Sequence, residues 1–164
     1  SVTPRQTIDY TTKTIGGHEL LFLPLSGHTE ADLAIYDAKT GTLFAGDLVF
    51  YNRTLATPSA TIENWIPSLE RLRGVSYKKM VPGHGPVVPD ARGIDQTKDY
   101  LLWLDKTLHK AANEGMEMTE VMALPLPARF EKIDMARDEF IRTVNNLYPK
   151  VENETLPLAG TPGG

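Results

Sequence analysis

Residues 32–47, with the sequence DLAIYDAKTGTLFAGD, predict a β-hairpin that ends on a carboxylate. Two apolar runs, Asp32–Asp37 and Thr42–Ala45, are strand-like, and the residues between them end in a glycine that suits a tight turn. Asp47 follows just past the second run, directly after Gly46. The hairpin therefore predicts a carboxylate at the exit of a strand, where a sheet can hold it rigidly.

Two more short turns offer a histidine beside a glycine after an apolar, strand-like run. Residues 26–29 (SGHT) follow residues 19–24, and residues 82–85 (PGHG) follow residues 79–81. Each turn alone is weak support, because such polar residues are common in ordinary loops. Together, two histidines and an aspartate suit a divalent metal ion, zinc first, with iron or manganese as alternatives. The predicted metal ligands are His28, Asp47 and His84.

The segment after the hairpin predicts an amphipathic helix that Gly74 ends. With Asn64 as its N-cap, Pro67 falls in the first turn, where a missing amide hydrogen does no harm. A further strand is predicted within residues 7–15. The apolar stripe of the helix consists of Ile62, Trp65, Ile66, Leu69 and Leu72.

Helices dominate the second part of the chain. Residues 96–113 predict a long helix, residues 119–122 a short turn of helix and residues 124–128 a proline-containing linker. Asp134 is the predicted N-cap of a last helix. The apolar stripe of that helix consists of Phe140, Ile141, Val144, Leu147 and Tyr148.

The order of strands and helices predicts an α/β (α+β) fold with one mixed sheet and flanking helices. We expect residues 1–90 to form the sheet domain and residues 91–157 a helical extension that packs on it. Residues 158–164 predict a disordered tail. A formal net charge of −4, with scattered basic residues, argues against a nucleic-acid surface, and no apolar run reaches membrane-spanning length.

In combination and in order, these motifs resemble the C-terminal half of the metallo-β-lactamase superfamily. The resemblance runs from about Thr7 to Val88 and rests on residues 27–29, the hairpin that ends at Asp47, the helix and residues 82–85. It implies half of an αββα sandwich, to which the C-terminal helices are appended as in several hydrolase branches. Residues 27–33 (GHTEADL) are similar to a branch of zinc hydrolases associated with quinoprotein systems.

The resemblance also implies a role for each candidate ligand. His28 binds a first metal, Asp47 bridges two metals as the catalytic carboxylate, and His84 completes the second. A metal-bound hydroxide would attack a small-molecule thioester, lactam, lactone or phosphodiester, because zinc lowers the pKa of bound water.

The sequence departs from the family in one respect. The family's first half carries a His-x-His-x-Asp-His motif, which does not occur here. Two ligands per ion are fewer than catalytic zinc takes. We therefore expect a C-terminal fragment of a hydrolase, inactive by itself, whose missing half would precede Ser1. The alternatives are a non-catalytic binding or assembly module that keeps part of the fold, and an α/β domain with incidental histidines.

Half of a two-sheet sandwich would leave one sheet face without its partner. The expectation is that this face pairs with a second copy in a symmetric homodimer. The compartment stays open between the bacterial periplasm and the cytoplasm. The residues expected on the exposed face are Leu21, Leu23, Leu33, Ile35 and Leu43.

The remaining polar candidates have ordinary explanations. His18 is expected in a solvated turn, and His109 on a helix surface. Tyr51, Asn52 and Arg53 follow Asp47 and would rim the site, either as plain loop polarity or as substrate contacts.

Overall fold

The computed structural model describes residues 9–54 and 60–156. The strands in this part of the chain are β1 Thr11–Ile15, β2 His18–Leu25, β3 Asp32–Asp37, β4 Thr42–Phe50 and β5 Lys79–His84. They form one sheet in the order β1-β2-β3-β4-β5. The first four pair antiparallel, whereas β5 lies parallel to β4. The predicted α/β (α+β) class with one mixed sheet is confirmed.

Helices connect the last two strands and follow the sheet. They are α1 Ile62–Arg73, α2 Arg92–Asn113, α3 Met118–Met122, α4 Ala128–Glu131 and α5 Ala136–Thr155. α1 carries the chain from β4 to β5, which is the crossover that a parallel pair needs. α1 and α2 pack against β4, and α5 packs against α2. One hydrophobic core therefore runs from the sheet into the helices.

The strand register divides the apolar residues of the sheet between two faces. Leu23 lies opposite Ala34, and both are buried. Because side chains alternate along a strand, Leu33 and Ile35 point to the other face. The prediction of one shared inner face is wrong for this reason. Its members divide into Leu21, Leu23 and Leu43 on the buried face and Leu33 and Ile35 on the other.

Among the described residues, the other side of the sheet presents a row of large apolar side chains that no helix covers, and we call it the uncovered sheet face. Phe22, Ile35 and Phe44 are neighbours across three strands of it. Ile15, Leu33 and Phe44 are 50%, 49% and 44% exposed. The uncovered sheet face consists of Ile15, Phe22, Leu33, Ile35 and Phe44.

β4 is longer than the sequence predicts, and Asp47 lies within it rather than just past it. Gly46 adopts a left-handed φ of 57°. The register with β5 shifts between Phe44 and Gly46 and again between Gly46 and Phe50. An irregularity of this kind re-aims the local side chains without ending the strand.

Two predicted helix starts are wrong. α1 begins after Thr61 rather than Asn64, so Pro67 lies inside the helix, where it cannot donate a backbone hydrogen bond. α5 begins after Met135, which has a φ of 61°, and not after Asp134. The carbonyl of Asp134 instead accepts the Thr54 amide hydrogen at 3.0 Å.

The C-terminal helices differ from the prediction in two further details. α4 begins at Ala128, the last residue of the predicted linker, and the sequence did not predict it. Ile141 is 37% exposed, while the other members of the predicted stripe are buried. The predicted tail at residues 158–164 lies outside the described residues. No helix in the described ranges combines the length and apolar character needed to cross a membrane.

Candidate metal centre

The three predicted ligands come together at one end of the sheet. His28 follows β2, Asp47 lies in β4, and His84 is the last residue of β5. The Asp47 carboxylate reaches towards both rings. Its Oδ2 lies 3.9 Å from Nδ1 of His28, and its Oδ1 lies 3.5 Å from Nε2 of His84. The sequence prediction that these side chains converge is therefore confirmed, while their role as metal ligands stays a prediction.

Glycine at position 83 allows β5 to approach Asp47. A Cβ atom at Gly83 would lie 2.6 Å from Oδ1 of Asp47 and would also overlap the carbonyl oxygen of Gly46. Atoms this close cannot be accommodated without moving the backbone. The glycine before His84 is thus required for the distance between the histidine and the carboxylate.

Gly27 has a comparable function beside His28. Its φ is 151°, and a Cβ atom there would lie 2.6 Å from Cβ of Trp65. The Gly27 carbonyl accepts the Thr61 amide hydrogen at 2.7 Å, directly before α1. The loop that carries His28 is consequently held against the start of α1.

Aromatic rings surround the two histidines. The His28 ring meets Trp65 edge-on, with centroids 5.5 Å apart, and His84 stacks on Phe50 at 4.9 Å. The indole nitrogen of Trp65 donates to the Leu48 carbonyl at 2.8 Å, which fixes the indole. These contacts restrict both imidazoles and give the site an apolar floor.

One nitrogen of His28 is buried without a partner. The His28 side chain is 13% exposed, and its Nε2 atom has no hydrogen-bond partner in the described part of the chain. Leaving a buried polar atom unpaired costs about 1–3 kcal/mol. Asp47 and His84 are more open, with 48% and 41% of their side chains exposed. The site is thus closed behind His28 and accessible at Asp47.

The predicted rim residues lie beside His84. The Tyr51 amide donates to the His84 carbonyl at 2.9 Å, and Nη1 of Arg53 lies 3.5 Å from Nδ1 of His84. The Asn52 amide donates to Oε1 of Gln96 at 2.8 Å, which ties the rim to α2. Contact of these residues with a substrate stays a prediction.

The donor types fit a zinc-type ion, although the number of donors is small. Histidine nitrogen and carboxylate oxygen are common zinc ligands, and the ring nitrogens that face Asp47 are Nδ1 of His28 and Nε2 of His84. Within residues 9–54 and 60–156, no group of three or more His, Cys, Asp or Glu side chains is arranged to hold a metal ion. The three side chains are better described as two pairs that share Asp47.

The other two histidines have partners elsewhere. Nδ1 of His18 lies 2.8 Å from Oδ2 of Asp37, so His18 pairs across the sheet rather than standing free in a turn. Nδ1 of His109 lies 2.8 Å from the Asp105 carbonyl, and its Nε2 lies 3.3 Å from Glu154. The hydrogen bond to Asp105 raises the pKa of His109, with a contribution from Glu154.

Sequence reasoning missed the part that Phe50 plays in the site. Phe50 stacks on His84 and lies 5.9 Å from the ring of His28. The apolar run after Asp47, which continues β4 as far as Phe50, could have indicated that Phe50 lies beside the site.

Several known proteins are similar to this chain in sequence or in fold. A model of the metallo-beta-lactamase superfamily matches residues 2–84. The "Beta-lactamase-like protein 2 homolog" of Caenorhabditis elegans is 22% identical over 108 residues, which is 65% of this chain and 36% of that protein. The chain thus spans about a third of the length of this curated relative.

Two solved structures share the fold. The metallo-beta-lactamase from Pontibacter korlensis is 29% identical, with a TM-score of 0.52 over 57% of this chain and 46% of that one. The metallo-beta-lactamase IND-7 is 23% identical, with a TM-score of 0.50 over 56% and 44%. With a family model that matches half of its length, this chain belongs to the metallo-beta-lactamase superfamily.

Proposed function

We propose that this chain supplies part of the metal centre of a zinc-dependent hydrolase. One observation carries the proposal: the Asp47 carboxylate lies between two histidine rings, 3.9 Å from Nδ1 of His28 and 3.5 Å from Nε2 of His84. The superfamily membership supports hydrolase chemistry for the whole protein.

Each residue has a distinct part in this proposal. His28 and Asp47 would hold one ion, and Asp47 and His84 would hold a second, so that Asp47 would be shared. When bound, zinc lowers the pKa of a coordinated water and polarises a carbonyl or phosphoryl oxygen. The aromatic floor of Phe50 and Trp65 excludes water behind the histidines. A small-molecule substrate would enter on the side of Asp47, which is the exposed side.

The small number of metal ligands also limits the activity that this chain can have by itself. Catalytic zinc sites use three protein ligands per ion, and here two side chains face each proposed position. We therefore propose that the isolated chain binds zinc weakly and does not hydrolyse esters, thioesters, lactams or phosphodiesters. Zinc-dependent turnover by the isolated chain that Asp47→Asn abolishes would contradict this part of the proposal.

Zinc titration by calorimetry tests the ligand assignment. His28→Gln, His84→Gln and Asp47→Asn should each weaken zinc binding by more than about tenfold, because even residues behind the ligands have effects of that size. His109→Gln is the matched control, since both nitrogens of His109 already have partners. Equal zinc affinity in His28→Gln and His109→Gln would refute the assignment.

We also propose that the uncovered sheet face packs against a second copy of this chain. The dimer proposal is supported by the contiguous apolar side chains of this face, of which Leu33 and Phe44 are about half exposed. Two copies present identical surfaces, so a two-fold axis can bury both at once. An assembly module of this kind is the alternative function for a chain without hydrolase activity.

Light scattering after size exclusion tests the dimer. The chain should elute with twice its 18.2 kDa mass at micromolar concentration. Phe44→Asp should give the monomer, because a charge would be buried in the contact. Leu102→Asp is the control, since Leu102 is 51% exposed but lies on α2. A monomeric wild-type chain would refute the proposal.

A further inference from the structure

The segment that follows Asp47 is attached to α2 by a series of hydrogen bonds. Oγ1 of Thr97 accepts the Phe50 amide hydrogen at 3.1 Å and lies 2.9 Å from the Phe50 carbonyl. Oε1 of Gln96 accepts the Asn52 amide hydrogen at 2.8 Å. Residues 96, 97 and 100 share one face of a helix, so Tyr100 lies one turn further along this series.

The next pair of the series consists of two hydroxyl groups without partners. Thr54 is 4% exposed and Tyr100 is 3% exposed. Within residues 9–54 and 60–156, neither Oγ1 of Thr54 nor the phenol oxygen of Tyr100 has a hydrogen-bond partner. Buried hydroxyl groups are hydrogen-bonded in nearly all folded proteins, so two unpaired hydroxyls call for an explanation.

A small cavity supplies that explanation, because both side chains line it. It offers about 10 Å³ to the centre of a water molecule, which is about the space that one buried water needs. Gln96 and Arg53 also line the cavity and provide polar groups, while Phe50 and Ile133 close it with apolar surface. The space is too small for an organic ligand.

The protonation state of Tyr100 allows its hydroxyl group to donate a hydrogen bond. Burial raises the pKa of Tyr100, with a further contribution from the charge of Glu139. The phenol therefore keeps its hydrogen and can donate it. A hydroxyl group on Thr54 can accept or donate by rotation.

We propose that one ordered water molecule occupies this cavity and bridges Oγ1 of Thr54 and the hydroxyl group of Tyr100. Tyr100 donates to the water, and the water donates to Thr54. The bridge continues the Thr97 and Gln96 contacts by one helical turn. It holds Arg53, which contacts His84, against the helical extension. The helices after the sheet thus help to position the rim of the candidate metal centre.

A high-resolution crystal structure of this chain is the direct test. We expect a single density peak within hydrogen-bond distance of both hydroxyl oxygens. A dry cavity, or a direct hydrogen bond between Thr54 and Tyr100, would overturn the proposal.

Thermal unfolding of variants tests it independently. Thr54→Val and Tyr100→Phe should each lower Tm by about 2–4 °C. The double variant should fall no further than the more affected single variant, because either change removes the same bridge. Thr54→Ser keeps the hydroxyl and should restore the Tm, and Tyr36→Phe, which removes an exposed hydroxyl, should have little effect. Fully additive losses would contradict a shared water.

Discussion

Two of the histidine–carboxylate clusters of the molecule, those of His28 and His109, differ in how completely their ring nitrogens are hydrogen-bonded. His109, on α2, is 39% exposed and has partners on both ring nitrogens. His28 is 13% exposed and keeps a buried nitrogen unpaired. Because both ring nitrogens of His109 have protein partners, no bound metal ion is needed to account for its position. Both histidines lie near carboxylates, so burial and the unpaired nitrogen are what separate His28 from His109.

The surroundings of the two clusters differ as well. Around His28, close packing of glycine, tryptophan and phenylalanine fixes the ring. Around His109, exposed charged side chains of α2 and α5 make the contacts. Substitutions near His28 should therefore lower the free energy of unfolding strongly, and substitutions near His109 should lower it only slightly.

The largest effect is expected for Trp65→Ala. It removes a fully buried ring, the hydrogen bond to the Leu48 carbonyl and the edge contact with His28. The free energy of unfolding should fall by about 3–5 kcal/mol, measured by urea denaturation. Trp103→Ala, at a half-buried ring among the helices, is the comparison and should cost less. An equal or larger loss for Trp103→Ala would contradict the difference between the two regions.

An intermediate effect is expected for Gly83→Ala. The added methyl group would overlap Asp47 and the Gly46 carbonyl, so the strand ends must move apart at a cost of about 1–3 kcal/mol. Zinc binding should weaken in parallel, as calorimetry would show. Gly74→Ala is the control, because its Cβ would lie 3.3 Å from the nearest atom and its φ is ordinary. That variant should stay within about 1 kcal/mol of the wild type.

The smallest effect is a pH dependence at His109. Its folded-state pKa is raised above 6.5, so its contribution to stability is full below that pH. The contribution is lost as the pH rises through the folded-state pKa. His109→Gln should therefore destabilise the protein more at pH 5.5 than at pH 8.5, measured by urea unfolding at both. The effect should be small because the His109 side chain is partly exposed to solvent. A destabilisation by His109→Gln that grew with pH would contradict this prediction.

Sequence patterns predicted one mixed sheet and the convergence of His28, Asp47 and His84, because strands held in one sheet bring their ends to one edge. They did not predict the face of Leu33 and Ile35, since a register is fixed by pairing and not by composition. Nor did these patterns predict the left-handed φ of Met135, after which α5 begins.

Long-range contacts account for the other omissions. The shared cavity of Thr54 and Tyr100 joins residues far apart in the sequence, and no local pattern marks it. The quinoprotein-linked branch stays a prediction, because the relatives described above do not address it.

The most direct test of the central claim is the ¹⁵N NMR spectrum of the four imidazole rings during zinc addition. A ring nitrogen that binds zinc changes its chemical shift, and the chain has only four histidines. The account predicts that resonances of His28 and His84 shift while those of His18 and His109 do not. Shifts confined to His18 or His109, or no shift at saturating zinc, would contradict the assignment of the metal centre.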